Sequence, residues 1–364
     1  MLSRTVSTAL VVLAVFTAYS TFKSNMMVKT RRSAFDLGEN DELAAEFSKW
    51  TEEENKTYLT PAEKSFRLKV FGESNRLVES LKTSGTGFEV TLGKFADLTN
   101  EEFLAQRTGL KTMPKALEEI SLGQSAPVIY KTLTDIPVSK HQMLGDTTTI
   151  DWEERGKLGS VRDQGKCGSC FSFTAAVLTQ SHYAIKKSTK VSEISEQHIV
   201  DCSKSYGNNG CGGGLIETSL QMAVDIGVMP RSLYPYTAEH MSTCKHDPSR
   251  AYKAHTNYAK IESENGKLMA AALNNGPLGI GIDSGPLKHY KSGVITAREG
   301  LCGTSVDHAV LLYGMGTYAG GNFWKIRNSW GSDWGENGNF KIHADMDGPG
   351  LCGVSIQVCQ PIYA

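Results

Sequence analysis

The run Arg162-Asp163-Gln164-Gly165-Lys166-Cys167-Gly168-Ser169-Cys170-Phe171-Ser172-Phe173 concentrates the reactive side chains of this chain. A glycine-rich loop leads into Cys170. Phe173, Val177 and Ala184 then fall on one face of a helix that Ser169 can cap. Cys170 is therefore expected at a helix N-terminus, where unpaired N–H groups and the positive end of the helix dipole favour a thiolate. Three chemistries fit the run. Cys167 and Cys170 form Cys-x-x-Cys, the spacing of a redox pair. With Cys202 and Cys211 they could ligate zinc, although those two are nine positions apart and make no tight second knuckle. In the third chemistry Cys170 is the nucleophile of a Cys-His hydrolase and Cys167 sits in a disulfide.

Compartment and composition bear on that choice. Residues 1–20 read as a secretory signal: Arg4, an apolar run from Ala9 to Ala18, and the small-x-small site Ala18-Tyr19-Ser20. The run is too short to span a bilayer reliably, and no other stretch could, so no membrane attachment is expected after signal removal. A secretory route permits disulfides and disfavours a cytosolic zinc or redox reading. All eight cysteines lie between Cys167 and Cys359, so the first part of the chain has a different job from the second. The 38 Lys and Arg residues balance 39 Asp and Glu, which leaves no polycationic footprint for nucleic acid.

The elements that must position the chemistry begin upstream. Leu43, Phe47 and Trp50 form an apolar face behind a possible Asp41 cap. Thr60-Pro61-Ala62-Glu63 has the form of a capping box with Pro at the first helical position. Phe66, Val70, Leu77 and Leu81 follow on one face, with Phe71 and Val78 beside it. That helix should end before Gly85 and Gly87. An extended stretch, 88–92, and a helix start at Thr99-Asn100-Glu101-Glu102-Phe103 come next. Residues 109–149 show little periodicity and read as a connector.

Downstream motifs bring the chain to a family. Gln164–Phe173, Ser195–Cys202, Gly210-Cys211-Gly212-Gly213-Gly214, Tyr234-Pro235-Tyr236, Val306-Asp307-His308-Ala309-Val310 and Asn328-Ser329-Trp330-Gly331 occur in that order. Together they resemble the papain-like cysteine proteases, in the cathepsin L-like branch, over about residues 146–364. Upstream, Glu63, Arg67 and Phe71, then Phe95-Ala96-Asp97, resemble the family's inhibitory propeptide. Phe171 stands where the family usually has Trp, and Ser74, Thr91 and Gly93 depart from the propeptide pattern. Cys359 has no evident partner.

The resemblance implies an α+β, two-lobed papain-like fold, a helical lobe plus a β-rich lobe, preceded by a helical propeptide. The implied division is signal peptide 1–20, inhibitory propeptide 21–145 and peptidase domain 146–364, with trimming near Asp146–Thr149. It implies a monomeric endopeptidase made as a zymogen, without metal or other cofactor. The runner-up is an exopeptidase, but no long insertion between Cys244 and Cys302 blocks one end of a cleft. The implied partners are protein or peptide substrates and the chain's own propeptide. The implied destination is an acidic vacuole or lysosome, or the exterior. Cys170 would attack the peptide carbonyl, and His308 would act as its acid/base, oriented by Asn328 and covered by Trp330. Gln164 would donate to the oxyanion. Gly213 and Gly214 would line the substrate backbone. Leu215, Ile216, Gly281, Val306 and Gln357 would wall an uncharged, mostly apolar side-chain pocket that favours Leu or Phe over Arg. The implied disulfides are Cys167–Cys211, Cys202–Cys244 and Cys302–Cys352. The sequon Asn55-Lys56-Thr57 could carry a glycan that leaves with the propeptide.

Overall fold

In the computed structural model, Thr60 Oγ1 accepts from the Glu63 N–H at 3.1 Å, which starts a helix where the cap chemistry places one. The return bond from the Glu63 carboxylate goes one residue further out, to the Leu59 N–H at 3.0 Å. The structure describes residues 41–85, 87–112, 127–137, 149–241, 243–296 and 301–363. The signal segment 1–20 and residues 146–148 lie outside these.

The chain forms two compact units, one ending at Glu73 and one beginning at Ser74. In the first, the chain is helical over 41–53 (α1), and α2, Pro61–Thr83, begins. Phe71 packs on Phe47 and Trp50, with ring centroids at 5.3 and 5.1 Å. Asn55 is exposed between the two helices. Only part of the heptad face expected on α2 is buried. Phe66 and Leu77 are 46% and 49% exposed, whereas Val70, Phe71, Ser74 and Val78 are buried. At 3.6 residues per turn a heptad row drifts around a straight helix. The buried stripe therefore lies to one side of that row, centred near the small Ser74. Gly85 and Gly87 follow the helix with φ of +67° and +76°.

The second unit begins within α2. It continues through β1 (Phe88–Val90), α3 (Asn100–Arg107), β2 (Val128–Tyr130) and β3 (Ile150–Asp151). Then come α4 (Cys170–Lys186), α5 (Glu196–Cys202), α6 (Ile216–Asp225), β4 (Asn257–Ile261), α7 (Gly266–Leu273) and β5 (Leu278–Ile282). The last strands are β6 (Tyr290–Ile295), β7 (His308–Tyr318), β8 (Gly321–Arg327), β9 (Asn339–His343) and β10 (Val358–Ile362). Thr99 caps α3 through a complete capping box with Glu102. The expected connector contains β2, which pairs in parallel with β4. A three-residue strand whose partner lies over a hundred residues away leaves no local period to read.

The strands join in the order β1-β6-β9-β8-β7-β5-β10-β4-β2, with β3 on β7. Helices α4, α5 and α6 form the helical lobe, and the sheet forms the β-rich one. Every residue from Cys170 to His182 is buried, so α4 is enclosed on all sides instead of along one stripe. Upstream of α4, Arg162 pairs with the buried Glu196 and donates to the Ile194 carbonyl at 3.2 Å, which fixes the approach to Cys170. Disulfides join Cys167–Cys211, Cys202–Cys244 and Cys302–Cys352, the pairs that the resemblance implies. Cys170 and Cys359 stay free and buried.

Candidate active site

Cys170 is the first residue of α4, and Ser169 precedes it without a capping bond from its side chain. The Ser169 hydroxyl is instead 2.7 Å from the Tyr236 hydroxyl, which donates to the Gln164 carbonyl, also at 2.7 Å. The loop before α4 is thus tied to the turn around Tyr236, and the helix start is left to backbone N–H groups.

His308 opens β7, and Asn328 directly follows β8. Leu311 and Arg327 are paired across these antiparallel strands. Three steps back along one and three forward along the other set His308 opposite Trp330. Their rings stack, with centroids 4.7 Å apart and planes at 21°. His308 and Trp330 are wholly buried.

Asn328 Oδ1 lies 2.8 Å from His308 Nε2 and also accepts the Ser329 backbone N–H at 2.8 Å. A backbone N–H can only donate, so that atom must be the amide oxygen. His308 Nε2 is therefore the donor and carries the proton. Nδ1 is left as the unprotonated nitrogen of the neutral ring, buried and without a partner among the described residues. The backbone N–H groups of Ala309, the next residue, of Phe171 and of Leu110 act on the Cys170 sulfur. These donors favour a thiolate, yet burial outweighs them and pushes the Cys170 thiol up to about 12. Burial likewise pulls His308 down to about 4, against the bond to Asn328. The expected low thiol pKa at the helix N-terminus is overridden, and the two groups are neutral between these values.

Gln164 is fully buried. Its backbone N–H donates to Ser329 O at 2.8 Å, and its Oε1 accepts from the Ser329 hydroxyl at 2.7 Å. That bond aims the NH₂ group toward Cys167 O, 2.9 Å away. One amide hydrogen is engaged there and the second is left over. Sequence reasoning passed over Ser329, although it sits between two residues already singled out.

The connector supplies the largest addition. Residues Gly109–Lys111 lie along the glycine wall. Gly214 N–H donates to Gly109 O and Lys111 N–H to Gly214 O, both at 2.9 Å, in a parallel bridge. On the other side Gly109 and Leu110 N–H donate to Asp307 O at 3.1 and 2.9 Å. The approach is close enough that a Cβ on Gly213 would lie 2.5 Å from Gly109 O. The Leu110 side chain enters the expected pocket. A Cβ on Gly281 would come within 2.8 Å of Leu110 Cδ2 and 3.1 Å of Val306 Cβ. Gly281 N–H donates to Gln357 O at 3.0 Å, which places Gln357 behind that wall. Leu215 is buried at the start of α6. Ile216 turns Cγ2 to the Gly279 position, beside Leu178 and Thr174 in the interlobe core. Leu110 carried no motif; its only signal is an apolar residue just past the end of α3.

The sequence matches the family described as "Papain family cysteine protease" over residues 147–362. The chain belongs to the papain family of cysteine proteases. Residues 47–103 match the "Cathepsin propeptide inhibitor domain (I29)", so this papain-family chain carries its own inhibitor domain, as a zymogen does. It is 34% identical to ananain of Ananas comosus over 331 residues, 89% of this chain and 88% of that protein. It is 33% identical to vignain of Vigna mungo over 344 residues, 91% and 90% of the two chains. Among solved structures it is similar to a recombinant stem bromelain precursor, with TM-score 0.75 and 29% identity over 88% of this chain and 99% of that one. Digestive procathepsin L2 of Tenebrio molitor larval midgut matches with TM-score 0.78 and 25% identity over 88% and 100%. As a papain-family protease the chain is a hydrolase of peptide bonds. The zinc and redox readings lose their ligands, because Cys167, Cys202 and Cys211 are all in disulfides.

Proposed function

We propose that Cys170 is the nucleophile and His308 the acid/base of this cysteine endopeptidase. The buried Nδ1 of His308, left without a hydrogen-bond partner among the described residues while the backbone of the next residue, Ala309, acts on the free Cys170, supports the reading, since Asn328 and Ser329 leave that ring atom as the one able to take a proton. Cys170 attacks the peptide carbonyl and the scissile C–N bond breaks as the imidazolium returns its proton to the leaving amine. Water then hydrolyses the acyl-enzyme. The second Gln164 amide hydrogen and the Cys170 backbone N–H stabilise the oxyanion. Trp330 keeps water from the His308–Asn328 bond.

Residues 21–145 act as the inhibitory propeptide, after a signal at 1–20, and 146–364 as the peptidase domain. Gly109–Lys111 occupies the substrate backbone wall, and Leu110 seals Cys170 and His308 from water. Its departure relieves the burial that holds both groups neutral, so the thiolate–imidazolium pair can form. The mature monomer acts on protein or peptide substrates and not on nucleic acid, in an acidic compartment or outside the cell. Among the described residues no helix is long and apolar enough to cross a membrane. The test is Cys170→Ser in the trimmed enzyme. Turnover should fall to background while circular dichroism and thermal unfolding stay those of the parent. Undiminished turnover by a folded variant would remove Cys170 from the mechanism.

A further inference from the structure

An apolar pocket with a neutral floor is what the sequence predicts around Gly281, Val306 and Gln357. The structure adds a carboxylate. Gln357 Nε2 lies 3.1 and 2.9 Å from the two carboxylate oxygens of Glu217, a residue 140 positions earlier in the chain. Glu217 is only 5% exposed. It lies in the first turn of α6, directly after Leu215 and Ile216, where the helix dipole favours a negative charge. Its other titratable neighbours are Tyr258 and Cys359. Burial first, and Glu217 second, hold both of those groups above their ordinary values and therefore uncharged. Among the described residues no Lys, Arg or His forms an ion pair with Glu217. A carboxyl group offers about four acceptor positions, and a single neutral amide is placed on this one. A cation brought to such a buried carboxyl group would find a matching partner there.

We propose that Glu217, acting with Gln357, makes this pocket select a lysine or arginine side chain at the substrate position that Leu110 fills in the zymogen; the proposal rests on the peptidase reading above. Leu110 ends in methyl groups between Gly281 and Val306, and the backbone of Gln357 is bonded to Gly281 behind that wall. A basic side chain lays its methylene stem along the same walls and carries its charged head further in. Arginine matches both carboxylate oxygens with its planar fork. The expectation of Leu or Phe ahead of Arg rested on a floor that offered no counter-ion. Glu217 supplies that counter-ion, so the lost hydration of the cation is compensated.

The experiment uses the trimmed, active-site-titrated enzyme and quenched peptides that differ only at this position, as Arg, Lys, Leu or Phe. The kcat/KM for Arg or Lys should exceed that for Leu, and Glu217→Gln should lower the Arg/Leu ratio about tenfold. Glu217→Leu, which replaces the carboxyl group by an apolar side chain, should lower the ratio likewise and serves if the first variant does not fold. Wild-type preference for Leu or Phe, or a ratio that neither variant moves, would overturn the assignment while leaving the peptidase reading intact. Failure to cleave any peptide, with Cys170 unlabelled by an epoxysuccinyl inhibitor, would remove both.

Discussion

His308 shows how one backbone N–H can settle a proton. Because Ser329 N–H must donate to Asn328 Oδ1, the imidazole must donate from Nε2, and Nδ1 is the basic atom. Asn328→Ala removes this constraint and lets the tautomers mix. It should reduce kcat/KM by roughly 10²-fold, the lower end of what a positioned acid/base contributes. Steady-state kinetics on a folded variant decides it, and a change below twofold would count against an orienting role. Protonation of the pair can be read directly. With the thiol raised to about 12 and the imidazole lowered to about 4, both by burial, the full-length chain holds a neutral thiol at pH 7. Iodoacetamide should modify Cys170 at least about 10²-fold more slowly in the full-length chain than in the trimmed enzyme, since the thiolate is the reactive form. Equal rates by mass spectrometry would show that the zymogen does not suppress the pair.

Two strands and a loop make the site. The β7–β8 register puts His308 against Trp330, and the loop before α4 is clamped to Ser329 through both the backbone and the side chain of Gln164. The segment after α3 closes the arrangement at a single glycine. Gly109 has φ of +146°, and a Cβ there would lie 2.2 Å from Gly168 O, a backbone atom of the loop that carries Cys170. Neither the conformation nor the space tolerates a side chain. Gly109→Ala should therefore loosen this segment and raise the residual activity of the full-length chain on a small peptide about tenfold or more. Unchanged residual activity would show that Gly109–Lys111 does not restrain the site. Trp330 Nε1–H also donates to Arg107 O at 2.8 Å, and Phe95 and Phe103 meet its ring at 5.5 and 5.2 Å. The ring that covers His308 is thus itself covered from α3 and from the segment between β1 and α3.

At the scale of the second compact unit, ion pairs join the upstream residues to the rest of the unit, beside the buried apolar contacts of Phe88, Phe95 and Phe103. Lys94 lies 2.7 Å from Asp333 and 3.3 Å from Asp163, and Arg107 lies 3.3 Å from Asp163. In β1, Glu89 pairs with Lys291 and Ser292 of β6, which hold its carboxyl below its ordinary value. A carboxylate whose folded pKa is depressed stabilises the folded state above its unfolded pKa and loses that contribution as pH falls through the folded value. Acid therefore weakens the seam between β1 and β6, in the direction of release. Glu89 is exposed, so solvent screening keeps the effect small. In Glu89→Gln the pair is missing at every pH, and self-trimming of the full-length chain should begin at slightly higher pH. Onset at the same or a lower pH, followed by gel analysis across a pH series, would exclude this seam from acid activation.

Short-range chemistry was open to reading in the chain itself. Thr60 and Thr99 cap their helices, Cys170 begins one, and the ordered motifs around Cys170, His308 and Asn328 carry the family, because each depends on residues a few positions apart. Other features depended on distant partners. Solvation decided the charge of Cys170, where burial outweighs the helix N-terminus. Strand pairing decided β2, and the hydrogen bonds of Asn328 decided the proton on His308. Phe66 and Leu77 share a heptad row with Val70, yet only the packing of α2 decides which side of that row is covered. Glu217 reads as a first-turn helix carboxylate, and only the fold brings Gln357 to it from 140 residues away. Periodicity and caps are properties of neighbouring residues, whereas desolvation and pairing are properties of whatever the folded chain places within a few ångströms.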